Sequence, residues 1–156
     1  MDSSTLRGAR VVGILCAILL IAPIGVSLAF PNAFFYPPFH AAYQRMLGAL
    51  LLALGLGLLL ALRDPVRNAG VYAVIGLAVG SLMAAIAYTL VLDGADPAHW
   101  VVQVPLLLAV SVALVMTYTR LRRPHPVVVR IVAAAVILLP FGLYLYDVAY
   151  KAFVGK

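Results

Sequence analysis

Apolar residues along this chain come in long runs rather than with a period of two or 3.6, and the charged residues are confined to short clusters between them. A helix needs roughly 20 apolar residues to cross a hydrocarbon core. Five stretches qualify, at about 11–30, 43–62, 69–92, 100–119 and 128–150. Lipid offers no water to backbone N–H and C=O groups, so each stretch must satisfy them internally, as a helix. The pattern therefore predicts an all-α, polytopic transmembrane bundle of five spans, one domain over residues 1–156. Four spans are the alternative, because the fifth stretch has only sixteen residues between Arg130 and Asp147. Both side chains must snorkel to the interface for it to cross. The first stretch also has traits of a secretion signal: Arg7 and Arg10 precede it, and "SLA" stands before Phe30. Its apolar core is long for a signal and the next segment is itself membranous, so it reads as a retained helix.

Composition agrees with lipid as the solvent. Of 156 residues, 65% are apolar and 10% charged, with a mean hydropathy of +1.12. Soluble domains run nearer ~45–50% apolar and ~25% charged, and a chain this short could not hide such a surplus from water. The net charge of +6 and pI near 9.8 would suit a nucleic-acid binder, but no basic stripe with interleaved aromatics exists. The basic residues sit at the ends of apolar runs and report orientation instead. With the amino terminus inside, Arg7, Arg10, Arg63, Arg67, Arg120, Arg122, Arg123 and Arg130 are cytoplasmic, and Arg45, Lys151 and Lys156 are outside. Eight of the 11 basic residues inside against three outside favours N-in, C-out.

The connections carry helix-boundary signals. "RDPVRN" places Pro65 just past the second span, and "DGADPAHW" offers Asp96 as a fresh N-cap. "RRPHP" separates the fourth span from the fifth, with His125 an inner-loop residue. "FPNAFFYPPFH" is too stiff and too aromatic for a solvated loop and is expected to lie along the outer headgroup layer. Pro23 and Pro140 fall inside spans and should bend them.

Lipid tails are as apolar as leucine, so helices in a membrane associate through close backbone approach and polar contacts. The second span has Ala49, Ala53, Gly57 and Ala61 at four-residue spacing, and the third has Gly76, Gly80 and Ala84. A short connection makes these spans antiparallel neighbours, expected to touch through Ala53, Gly57, Gly76 and Gly80. The alternative gives one small face to a second copy or a partner protein. Arg45, near the outer end of the second span, needs a counter-ion or a lipid phosphate. Asp147 stands at similar depth on the fifth span, so an intramembrane ion pair Arg45–Asp147 is expected, with snorkelling to outer phosphates as the alternative. Lys151, four residues beyond Asp147, competes for the same carboxylate.

Motifs for chemistry are missing. The chain has no glutamate, no CxxC, HExxH, P-loop or Gly-x-Ser-x-Gly pattern. Ser27, Ser81 and Ser111 lie in spans without a base nearby in sequence. His40, His99 and Asp96 share the outer side but lack metal-ligand spacing, so no metal or catalytic residue is assigned. Cys16 stands alone in a span and reads as a small buried apolar residue.

The segment "YQRMLGALLLALGLGLLLALRDPVRN" resembles one shared by small bacterial membrane proteins of the DoxX-like four-helix group. There an arginine (here Arg45) opens the second helix and "RDP" closes it. The likeness covers roughly residues 10 to 120. It implies a multi-pass helical bundle of the bacterial inner membrane, sometimes linked with redox complexes, and supplies no catalytic residues. The expected role is a non-catalytic accessory subunit of a larger respiratory or photosynthetic membrane complex. A small binder or carrier of a lipophilic molecule is the alternative, and a membrane enzyme the third. No cofactor is predicted, though a bent-helix cavity leaves room for a lipid or quinone. Expected partners are membrane lipids and other membrane subunits or a second copy, not nucleic acid.

Overall fold

The computed structural model of the chain describes residues 3–29, 41–92, 101 and 103–154. They form five helices: α1 (Ser3–Ala29), α2 (Ala41–Ala61), α3 (Ala69–Leu92), α4 (Gln103–Arg122) and α5 (Pro126–Val154). The stiff aromatic connection at 30–40 and the acidic loop with Asp93, Asp96, His99 and Trp100 lie outside the described residues.

Among the described residues, four helices are long and apolar enough to cross a membrane: Ser3–Gly25 within α1, Ala69–Thr89 within α3, Gln103–Arg122 and Pro126–Val154. The apolar stretch Arg45–Ala61 belongs to α2, a helix of 21 residues in all. Arg130 and Asp147 do not shorten α5, because a helix continues through a charged residue wherever its side chain can reach an interface. At 29 residues α5 is the longest of the five, and it runs on through Pro140 as α1 does through Pro23.

Local chemistry sets the turns. Asp64 opens the connection after α2, its carboxylate accepting from the Arg67 backbone N–H at 3.1 Å while its carbonyl accepts from Asn68 N–H at 3.0 Å. Pro65 is buried in this turn. Arg123 ends α4 with φ 45°, its N–H bonded to the Thr119 carbonyl at 3.0 Å. That left-handed position after a helix usually goes to glycine, and Pro124 then prevents continuation. His125 turns out to be the cap of α5 rather than a bystander in the loop. Its Nδ1 accepts from Val127 N–H at 3.3 Å and its carbonyl from Val128 N–H at 3.0 Å, with Pro126 at the first helical position.

Packing is pairwise and uneven. The most extensive contact joins α3 to α4, followed by α1 to α2; α5 lies along α3, α4 also touches α1, and α2 touches α3 least of these pairs. The small-residue faces meet differently from the expectation. A Cβ on Gly76 would sit 3.0 Å from Val115 and 3.1 Å from Leu114, and one on Gly80 2.7 Å from the Ser111 hydroxyl, so both glycines face α4. Ala84 is buried. On α2, Ala49 and Ala53 are exposed and a Cβ on Gly57 would meet nothing within 4 Å; of that stripe, only Ala61 is buried. The helix uses Gly55 instead, whose Cβ would reach 2.5 Å from Ile21 of α1. The physical reason lies on α1, where Ala9, Gly13 and Ala17 form a small face of their own and are all buried. It takes up Gly55 of α2 at Ala17 but Leu62 and Tyr72 at Gly13, while the glycines of α3 receive Ser111 and Leu114.

The core lies toward the end where α1, α3 and α5 begin. Leu20, Leu58, Tyr72, Val79 and Leu114 are its most deeply buried large side chains. Cys16 is buried among them. Buried Tyr72 donates its hydroxyl to the Ala9 carbonyl at 3.2 Å, tying the start of α3 to the start of α1. No residue of α5 is buried.

Candidate functional site

Two features carry polar chemistry. The first is the end of the bundle built by the turns. Since the 62–68 turn joins α2 to α3, the 123–125 turn joins α4 to α5, and Tyr72 binds Ala9, one end collects Arg7, Arg10, Arg63, Arg67, Arg120, Arg122, Arg123 and Arg130. All eight side chains are exposed, and Asp64 is the acid among them within the described residues. Helices that alternate in direction bring together clusters that are far apart in sequence. Arg123 fits this picture, since the chain keeps a cation at a backbone position that favours glycine.

Beside the 62–68 turn an open groove of about 400 Å³ runs onto α3, lined by Arg67, Asn68, Gly70, Val71, Val74 and Ile75. Arg67 and Asn68 are its polar lining residues, and the others are apolar. Nothing in the sequence patterns singled out this groove, although an arginine and an asparagine directly ahead of an apolar helix are its visible signal.

The second feature lies toward the opposite end. The Tyr88 hydroxyl of α3 donates to Asp147 Oδ2 of α5 at 2.6 Å, with both side chains partly buried. A carboxylate at membrane depth needs a donor, and a phenol on the adjacent helix supplies it. The expected partner, Arg45, is exposed, and no ion pair joins it to Asp147. The correction has a simple cause: α2 packs along α1 whereas α5 packs along α3, so equal depth does not bring the two side chains to one interface. Lys151 is exposed and forms no ion pair with Asp147 either. Around Asp147, α5 exposes Phe141, Tyr144, Tyr146, Tyr150 and Phe153, and the rings of Tyr146 and Tyr150 stack at 6.2 Å. Such amphipathic rings are typical of a membrane–water boundary.

Among the described residues, no three His, Cys, Asp or Glu side chains converge on a point that could hold a metal. Ser111 spends its hydroxyl on the Gly76 carbonyl at 2.7 Å, while Thr89 and Thr117 bond back to carbonyls of their own helices. These hydroxyls satisfy backbone acceptors in lipid.

No family model, curated protein or solved structure matches the chain. The DoxX-like resemblance therefore gains no support from a family match, and what stands is a small all-α, multi-pass membrane protein with four long apolar helices.

Proposed function

We propose that the chain is a non-catalytic subunit that packs beside other helices in a larger membrane assembly. The observation that carries this reading is the outward face of α2. Ala49 and Ala53 are exposed and Gly57 has open space where a Cβ would stand. Small residues at four-residue spacing let two membrane helices approach closely, and α1 already fills its contact with α2 through the separate position Gly55. The 49–53–57 stripe is left for a helix from outside the chain. α5 adds a second unfilled flank, since none of its residues is buried.

The test is purification in mild detergent with and without Gly57→Leu. A stoichiometric membrane partner, or a second copy, should accompany the natural sequence and be lost from the variant, while its thermal unfolding stays unchanged. A monomer carrying only lipid or quinone would overturn the subunit reading and favour a lipophilic carrier. Unaltered association in the variant would remove the α2 stripe as the docking face.

We further propose the N-in, C-out orientation of a bacterial cytoplasmic membrane, supported by the gathering of eight arginines at one end of the bundle. Cysteine-accessibility labelling at position 156 is expected to succeed with an impermeant reagent added from outside. Protection until the membrane is opened would reverse the orientation.

A further inference from the structure

We propose that the groove beside the 62–68 turn is a binding site for an anionic phospholipid, the phosphate held by Arg67 and Asn68 and one acyl chain laid against Val71 and Val74. The order of chemistry along the groove fits such a molecule. Arg67 and Asn68 form its polar head, and Gly70, Val71, Val74 and Ile75 continue along the first two turns of α3. A Cβ on Gly70 would meet nothing within 4 Å, so the passage from head to tail is open, and Val74 is 65% exposed. A soluble anion would leave that apolar wall uncovered, and an acyl chain alone would leave the guanidinium without a counter-charge.

Charge selects the headgroup. None of the six lining residues is acidic. The nearby acid, Asp64, turns its Oδ1 to the Arg67 backbone N–H rather than pairing with a guanidinium. Arg63 lies in the same turn and six further arginines lie at the same end of the bundle. A zwitterionic headgroup would bring an ammonium group into this field with no carboxylate in the groove to receive it. Basic pockets at the cytoplasmic edge of membrane helices bind anionic headgroups in general. The inference holds whether the chain acts alone or as a subunit, because it rests on the groove and not on the α2 stripe.

The experiment is native mass spectrometry of the full chain released from detergent after titration with phosphatidylglycerol, phosphatidylcholine or inorganic phosphate. One basic contact is worth about a fivefold change in affinity near a membrane surface. Phosphatidylglycerol should be retained at least that much better than phosphatidylcholine, and millimolar phosphate should not displace it. Arg67→Ala should erase the preference, and Val74→Trp, at an exposed position that fills the groove without removing charge, should erase it too. Arg130→Ala, at the same end but on α5, should leave it intact. Equal retention of the two lipids would overturn the proposal. So would equal losses in Arg67→Ala and Arg130→Ala, which would mean diffuse attraction, or displacement by phosphate, which would mean a free-anion site.

Discussion

Gly76→Leu should lower the stability of the purified protein by about 1–3 kcal/mol, the range for overpacking a close contact, whereas Gly57→Leu should not lower it. A Cβ at Gly76 would lie 3.1 Å from Leu114 Cβ and 3.2 Å from the Ser111 carbonyl oxygen. Neither is the flexible end of a side chain, and Leu114 is fully buried, so α4 itself would have to retreat. Its retreat would also stretch the 2.7 Å hydrogen bond from Ser111 to the Gly76 carbonyl. In water a larger apolar residue recovers some of such a loss through burial. In lipid it does not, because hydrocarbon outside the bundle solvates leucine equally well. At Gly57 the new side chain enters open space, and leucine is the better helix former by under ~1 kcal/mol. Gly80→Leu should fall between the two, since the atom in its way is the rotatable Ser111 hydroxyl at 2.7 Å. Unfolding followed by circular dichroism in one detergent orders the three variants. Equal stability of Gly76→Leu and Gly57→Leu would mean that α3 and α4 do not meet at Gly76.

That contrast marks where the sequence stops being legible. The five helices could be read because lipid forces every apolar run to become one, and α3 was placed at 69–92, as found. Which face each helix buries was not legible. In a soluble protein the buried face is the apolar one, but here nearly every face is apolar, and the surviving signal is the spacing of small residues. Three helices carry that spacing, at Ala9–Gly13–Ala17, at Ala49–Ala53–Gly57–Ala61 and at Gly76–Gly80–Ala84. Spacing says that a face can be approached closely and not by what. The structure divides the first face between α2 with its following turn and Tyr72 of α3, and gives the third to α4. Neighbours in sequence, α2 and α3, are joined by a short turn yet make the slightest of the principal contacts. The caps were more legible in kind than in detail: Pro65 and the "RRPHP" break mark real boundaries, but His125 acts through a ring nitrogen that no spacing rule would single out.

The pairing of Asp147 shows the same limit in polar form. A carboxylate toward the end of an apolar helix demands a donor, and the sequence offers Arg45 as the available cation. Depth alone does not choose between Arg45 and Tyr88, because both stand toward the ends of their helices away from the arginine cluster. What decides is direction around the helix axis, and α5 lies against α3. Two double-mutant cycles sharing Asp147→Ala separate the candidates. Paired with Tyr88→Phe, the coupling should be about 1 kcal/mol. That lies between the ~0.6 kcal/mol average for interhelical hydrogen bonds in membranes and the ~1.5–3 kcal/mol of bonds to charged groups. Paired with Arg45→Ala, the effects should add to within ~0.3–0.5 kcal/mol, as for sites without a shared partner. Each cycle subtracts whatever else its single substitutions disturb, so the pairwise terms can be compared directly. A coupling of ~1 kcal/mol with Arg45 and none with Tyr88 would place α5 against α2. The observed 2.6 Å bond requires the opposite. α5 buries no side chain, and this hydrogen bond ties it to α3. Its loss should therefore appear first as faster proteolysis or hydrogen exchange in α5, while α3 and α4 remain protected.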